Sequence, residues 1–428
     1  MSRFLPEEKV FKDPVHKYIY VQDETIWNLI NTPEFQRLRR IRQLGTSFMT
    51  FHGAEHSRFS HSLGVYEIAR RIISQFERNR YPGWPGEEKL LCLCAALLHD
   101  LGHGPFSHSV EKVFGTRHED WTCKLVLGDT EVNRVLREAD ETLPERVSAV
   151  IGKTYPKEIV VSIISSQLDA DRMDYLLRDA YFTGVNYGTF DLERILRVIR
   201  PDRGFLAVKE SGMHAIEDYL MSRYQMYWQV YFHPVTRSSE IILRKIFERA
   251  KSLYESGYKF GFMVRPIEAL MQNRLSIGDY IALDESLIQM ALMQWTNEKD
   301  AILADLSSRF LHRRLFQYAP LEQCGRAAEN EVRQWFADAG IDPDYYLEID
   351  YLEDMPYDVY RPGNEDESKP IWILTGSGER VEISEQSPII RSISGIQIGK
   401  RHLYFPKELV REKEKLFPAE ALNIMELN

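Results

Sequence analysis

The chain is poor in cysteine: four in 428 residues, Cys92, Cys94, Cys123 and Cys324, with no CxxC pair. That excludes a disulfide scaffold and a zinc ribbon. Cys92 and Cys94 lie two apart in an apolar run and read as core residues. Long hydrophobic runs are also absent. The longest, Leu90 to Leu98, is half of what a membrane span needs. There is no basic excess either. The net charge of -10 makes the chain as a whole repel nucleic acid, so a phosphate ligand must be held by a local basic cluster or a metal. The opening residues, Met1-Ser2-Arg3-Phe4-Leu5-Pro6, lack the charged-then-apolar plan of a secretory signal, and the expected compartment is the cytoplasm. No internal repeat or low-complexity tract breaks the pattern.

What the chain has is histidine in one place. Seven of its twelve histidines lie between residues 52 and 118, where even scatter would put about two. The densest stretch runs Leu98-His99-Asp100-Leu101-Gly102-His103-Gly104-Pro105-Phe106-Ser107-His108. An apolar helix delivers an adjacent imidazole and carboxylate, and burying both is costly unless a metal or a partner charge satisfies them. His61, His99, Asp100 and Asp171 together offer two imidazoles and two carboxylates. That set suits Mn, Fe, Ni or Zn; an all-oxygen shell would suit Mg better.

The spacing of apolar and turn residues predicts a mostly α chain. Residues 9–22 read as short extended segments with a turn at Asp13-Pro14. Thr32-Pro33-Glu34 starts a helix running to Gly45, whose Arg37, Arg39, Arg40 and Arg42 read as a solvated basic face. Helices follow over 62–78 and 90–98, and short ones continue to about 166. A helix over 171–183 carries Asp171, Tyr175 and Asp179 at i, i+4 and i+8, so they share a face. After a short strand at 205–209, a helix over 213–232 does the same for Arg223, Tyr227 and Tyr231. Further helices reach about 339. Beyond Gly340 a smaller mixed α/β region is expected, with strands over 344–352, 371–375, 379–384 and 390–405, a loop over 354–369, and a helix over 406–416.

The pattern H…HD…D over His61, His99-Asp100 and Asp171 resembles the signature of the HD superfamily of metal-dependent phosphohydrolases. Four segments extend the likeness: Asp13-Pro14-Val15-His16, Thr32-Pro33-Glu34-Phe35-Gln36-Arg37-Leu38-Arg39, Arg58-Phe59-Ser60-His61-Ser62-Leu63-Gly64-Val65, and Leu98 to His108. They resemble the deoxynucleoside triphosphate triphosphohydrolases, dGTPase-like enzymes that include the SAM-and-HD-domain proteins of animals. The resemblance is dense over 9–240 and thin after 330. It implies an HD-domain helical body with this division: an N-terminal segment, 1–50, carrying an activator site; the phosphohydrolase core with its substrate helices, 51–240; a helical extension, 241–340; and the α/β region, 341–428.

By that resemblance, a dNTP is hydrolysed at the α-phosphorus to deoxynucleoside and tripolyphosphate. One divalent metal sits on His61, His99, Asp100 and Asp171, and Mg accompanies the triphosphate. His103, His108 and His118 lie along the phosphates. His118 is the general acid, held by Glu119 or by Glu111, which stands where the family often has Asp. Arg58, Arg223, Tyr175 and Arg172 (Lys in the animal enzyme) bind phosphate. Gln43 and Asp179 bond the sugar 3′-hydroxyl, and Tyr231 and Leu44 pack on the deoxyribose. Tyr227 replaces a histidine. Relatives are tetramers activated by guanine nucleotides or dNTPs. The matching activator residues are Lys9, Gln36, Arg39, Arg313 and Leu315, while Asn31 replaces a guanine-reading Asp and Gln317 a Lys. The same metal set also serves HD enzymes of nucleoside monophosphates or cyclic nucleotides, and a non-catalytic nucleotide sensor could keep the scaffold.

Overall fold

The computed structural model describes residues 4–321, 326–352, 370–394 and 400–427. It is mostly helical, with three small sheets. The chain opens on an antiparallel hairpin, Phe4–Asp13 with Lys17–Asp23. The Asp13 carboxylate accepts the backbone N–H groups of Val15 and His16, each at 2.9 Å, which closes the turn. Asp23 then caps the helix Glu24–Ile30.

The expected helix over 32–45 is much shorter. Thr32 caps it and Pro33 starts it, but it ends at Arg37, and a single 3-10 turn follows. Ile41 and Arg42 are extended instead, because they pair with the stretch before the next helix: Arg58 N–H donates to the Ile41 carbonyl at 2.9 Å and Arg42 bridges Ser57. The solvated basic face holds for Arg39 and Arg40, which are exposed, and is corrected for Arg37 and Arg42. Arg37 is fully buried, its Nε donating to the Leu283 carbonyl at 3.0 Å, and Arg40 and Arg42 are tied to Asp284 and Glu285.

The core is built on three helices. Arg58–Arg78 packs against Lys89–Leu98 and Ala170–Thr183. Residues Leu91 to Leu98 are all buried, as expected of a helix apolar on every face. Cys92 and Cys94 lie among them. The helix predicted over 213–232 stays α-helical over Met213–Met226 and widens to a π turn over Tyr227–Tyr231. Pro234–Glu255 follows.

The C-terminal region mixes strands and helices as expected, with shifts. Strand Glu348–Leu352 is preceded by a helical turn at Pro343–Tyr346, which Asp342 caps. Trp372–Leu374 and Arg380–Glu382 complete a four-stranded sheet with Ile199–Asp202 and Phe205–Lys209, the central pairing being parallel. Of the described part of the strand predicted over 390–405, Lys400–Phe405 is extended; Pro388–Ile393 is helical because Ser387 caps it and Pro388 starts it. Lys400–Phe405 lies between Gln317–Pro320 and Glu348–Leu352. The loop predicted over 354–369 lies outside the described residues, as does Cys324. Among the described residues no helix is long and apolar enough to cross a membrane.

Candidate active site

The helix Lys89–Leu98 ends by presenting His99. Its Nδ1 donates to the Ala96 carbonyl at 2.9 Å, which leaves Nε2 buried with no hydrogen-bond partner. That nitrogen lies 3.5 Å from Asp171 Oδ1 and 3.4 Å from Asp100 Oδ1. His61, one turn into Arg58–Arg78, places its Nε2 3.1 Å from the same Asp171 oxygen and 3.7 Å from Asp100 Oδ2. His61, His99 and Asp171 each offer one ligand atom, all within 4.8 Å of one another, and Asp100 borders them. An orphaned, buried imidazole nitrogen facing two carboxylates fits a divalent ion.

The charges agree with that fit. Burial opposes charging His61, but hydrogen bonds to Asp171 and Asp174 outweigh it and push its pKa up to about 10. His99 is likewise raised, against burial, by Asp100 and Asp171. Asp100 and Asp171 are held below the usual carboxylate range: burial opposes this, and the facing imidazoles prevail.

Behind His61 stands a residue the sequence did not single out. Asp174 Oδ2 lies 2.8 Å from His61 Nδ1, and its Oδ1 lies 2.6 Å from His16 Nε2. Arg178 donates to both Asp174 oxygens, at 2.8 and 2.9 Å, and reaches Asp13 at 2.8 Å. A carboxylate behind a ligating histidine fixes its tautomer and orientation. Gly64 makes room for it: a Cβ there would meet Asp174 Oδ1 at 1.8 Å. The sequence held only two hints, neither of which separates Asp174 from an ordinary carboxylate: it follows Asp171 by three residues, and His16 lies in the Asp13-Pro14-Val15-His16 segment.

Next to the metal group lie the further histidines. His103 and His118 stack at 3.8 Å between centroids, 15° from parallel. His103 Nε2 lies 3.3 Å from Asp100 Oδ1. Burial, and then the nearby Arg58, push His103 well below the usual histidine range, so its ring is neutral. His118 Nδ1 lies 3.2 Å from Glu111 Oε1, and its Nε2 3.6 Å from Glu119 Oε1. His103, Glu111 and His118 also bring one ligand atom each within 4.8 Å. His108 sits in the helix Ser107–Phe114, and its side chain lies outside the described residues. Gly102 lies in the turn after the helix and has a packing role. A Cβ on it would meet the His118 carbonyl and the Thr122 nitrogen at 2.2 Å, so its lack of a side chain lets the two histidine segments touch.

These groups open onto a cavity of about 550 Å³, within the range of ligand pockets. Gln43, Leu44, Arg58, Asp100, His103, His118, Asp171, Tyr175, Asp179 and Tyr231 all line it. Arg58 Nη1 pairs with Asp100 at 2.5 Å. Asp179 is held from both sides, by His56 at 2.7 Å and by the Tyr231 hydroxyl at 2.8 Å. His56 is a second residue that the sequence did not single out. The π turn sets the direction of Tyr231, since one extra residue in a turn rotates every later side chain about the helix axis. Arg172 and Arg223 are not in the lining. Arg172 Nη1 is tied to the Ser166 carbonyl at 2.7 Å and to Asp169 at 2.5 Å, and Arg223 to Gln167 Oε1 at 2.7 Å. Each keeps a buried Nε without a partner.

Of the six candidate activator residues, Gln36 and Arg39 contact each other. Gln36 donates to the Ile30 carbonyl at 2.7 Å and accepts from Arg39 Nε at 2.8 Å; Arg39 also lies over the Phe59 ring at 3.6 Å. Asn31 caps Glu24–Ile30 and donates to the Trp27 carbonyl at 2.8 Å. Lys9 is on the hairpin, 3.9 Å from Glu7. Arg313, by contrast, donates to the Met49 carbonyl at 2.7 Å, and Leu315 packs on the core.

Comparison with known proteins bears on the same residues. The HD domain model matches 58–179, and the HD associated region matches 190–258. YwfO of Bacillus subtilis, an uncharacterized protein, is 57% identical over 99% of this chain and 98% of its own. The deoxynucleoside triphosphate triphosphohydrolase SAMHD1 of Danio rerio is 29% identical over 56% of this chain, a match that spans 45% of that protein. A solved phosphohydrolase from Bacteroides thetaiotaomicron superposes with a TM-score of 0.82 at 29% identity, covering 93% of this chain and all of that one.

Proposed function

We propose, on the premise that this chain belongs to the HD-domain family and is a metal-dependent phosphohydrolase, that it hydrolyses dNTPs at the α-phosphorus to deoxynucleoside and tripolyphosphate. One observation carries this reading. A single helix, Ala170–Thr183, lines one cavity with Asp171 at the metal group, then Tyr175, then Asp179 fixed between His56 and Tyr231. A nucleotide asks for that order: metal and cations for its phosphates, then a fixed carboxylate for a sugar hydroxyl.

The metal, on His61, His99, Asp100 and Asp171, would supply Lewis acidity and a more acidic water. Arg58 orients the phosphates; its planar fork suits bidentate contact. His103 and His108 lie along them with Tyr175, and Arg172 and Arg223, which stand outside the lining on Asp169 and Gln167, turn toward the phosphates when the nucleotide binds. His118 donates the proton to the leaving 5′-oxygen, with Glu111 or Glu119 holding the imidazolium. Gln43 and Asp179 accept or donate at the 3′-hydroxyl. Leu44 and Tyr231 cover the deoxyribose and exclude a 2′-hydroxyl. Mg travels with the triphosphate, and the site metal is Mn, Fe, Ni, Zn or Mg.

Activation by a guanine nucleotide or a dNTP in a homo-tetramer is part of the proposal, with Lys9, Asn31, Gln36, Arg39, Arg313 and Leu315 as the contacts. Asn31 offers no carboxylate to read guanine, which favours a less selective activator. The activity named for the SAMHD1 relatives and the metal group support the reading; cytoplasmic dNTP-pool control is the matching role. The test is incubation with each dNTP and Mn or Mg, with and without GTP or dGTP, identifying products. Tripolyphosphate is expected. Orthophosphate or pyrophosphate overturns the α-phosphorus attack, and turnover of a monophosphate or cyclic nucleotide with none of a dNTP replaces the substrate.

A further inference from the structure

Glu285 opens the helix Glu285–Trp295 and is 3% exposed. Its Oε1 accepts the Arg42 backbone N–H at 2.9 Å, and its Oε2 accepts Arg42 Nη1 at 2.5 Å. The Phe106 backbone N–H faces the same carboxylate and, with Arg42, works to lower its pKa against the larger effect of burial, which raises it. The two segments it joins are the two walls of the cavity. Arg42 directly precedes Gln43 and Leu44; Phe106 follows His103 by three residues and begins the helix that carries His108 and Glu111.

Phe106 needs holding. Its φ of 49° and ψ of 43° are left-handed, a conformation that crowds the Cβ of a non-glycine residue against its own backbone. It also begins its helix with no side-chain cap. The neighbour of Glu285 works on the same strand of chain: Asp284 caps the Glu285–Trp295 helix through Leu287 N–H at 3.0 Å and pairs with Arg40. A carboxylate buried this deeply is costly unless its oxygens are matched by donors in good geometry. Here every donor comes from one cavity wall or the other. An apolar residue would anchor the helix as well, but it would not fix the distance between the walls.

We propose that Glu285 is a positioning residue for the phosphohydrolase reaction: a strut that sets the Gln43–Leu44 wall against the His103–Phe106 wall. It touches no reacting atom and no metal ligand. The catalytic half of this claim rests on the function proposed above; the geometric half does not.

The experiment compares wild type with E285Q in two ways. Hydrogen exchange reads the peptides covering 41–46 and 103–110, and steady-state kinetics on a dNTP reads kcat and KM, with metal content measured on the same samples. Gln keeps the size but turns one acceptor into a donor, so one wall must let go. Exchange in both peptides is expected to rise, with kcat down roughly ten- to hundredfold, KM moving less, and metal content unchanged. Wild-type exchange in both peptides overturns the strut. A lower melting temperature with wild-type kcat well below that temperature also overturns it, since that is what mere packing would give. If wild type itself hydrolyses no dNTP, the substrate reading fails and the exchange data alone decide. Should E285Q not fold, R42K, which keeps the charge and loses the fork, carries the same measurements at the first wall.

Discussion

Asp174 and His61 face each other at 2.8 Å on the side of the imidazole turned away from Asp171. The ring is thereby clamped between two carboxylates, and the nitrogen free for a metal is Nε2. D174N keeps the shape but puts an amide N–H₂ against either His61 or Arg178. Metal affinity is expected to fall about 10–100-fold, read by titration calorimetry with Mn. Wild-type affinity would mean that the ring needs no such clamp.

Asp171 is partly exposed at the cavity floor, so its loss leaves the packing alone. D171A is expected to keep the fold, by circular dichroism, and to abolish turnover. Unchanged turnover in metal-loaded D171A removes this residue from the site.

Metal loading should depend on pH in a stated direction. His61 is raised from 6.5 to about 10 in the metal-free protein, so its imidazolium stabilises that form fully below about 6.5, and the contribution is lost as pH rises through about 10. A ligand must be neutral, so loading releases this proton. Between pH 6 and 8 the apparent Kd for Mn is expected to fall at least about tenfold per pH unit, because His61 releases one proton and His99, also raised, releases part of a second. Calorimetry in buffers of different ionisation enthalpy checks it, and a flat profile contradicts it.

Gly102 allows no side chain, with the His118 carbonyl and the Thr122 nitrogen at 2.2 Å from a built Cβ. G102A must push the two histidine segments apart. It is expected to cost about 1–3 kcal/mol and to lower turnover more than stability alone explains. Thermal unfolding and kinetics on one sample measure both.

Much of the site was legible because the chemistry needs rare residue types. His99 and Asp100 stand out by burial cost, His61 and Asp171 join them through the H…HD…D resemblance, and the shared face of Asp171, Tyr175 and Asp179 comes from helical spacing. Partners that act from behind were not legible. Nothing in the residue types of Asp174 or His56 separates a supporting carboxylate or imidazole from an ordinary one; only the fold brings residues 16, 61 and 174 together. The helix over 32–45 was overextended because its apolar spacing continues past Arg37, whereas Ile41 and Arg42 have better partners in the Ser57–Arg58 stretch. Arg37 defeats the rule that charge faces water, since it spends its charge against the Tyr280 ring, 4.9 Å away, and the Leu283 carbonyl. In the C-terminal region, Ser387-Pro388 was a legible helix start that the β-branched residues after it masked.

The hairpin turn at Asp13 has a bearing on how the protein is handled. Asp13 holds Arg178, Arg178 and His16 hold Asp174, and Asp174 holds His61. The first sixteen residues are thus the far end of a fastening whose near end is a metal ligand. A nick ahead of Lys17, which leaves the buried Ile19 and Val21 of the second strand in place, is expected to loosen an ion held on His61. Loss of bound metal would be the first sign of damage there, well before any loss of helix.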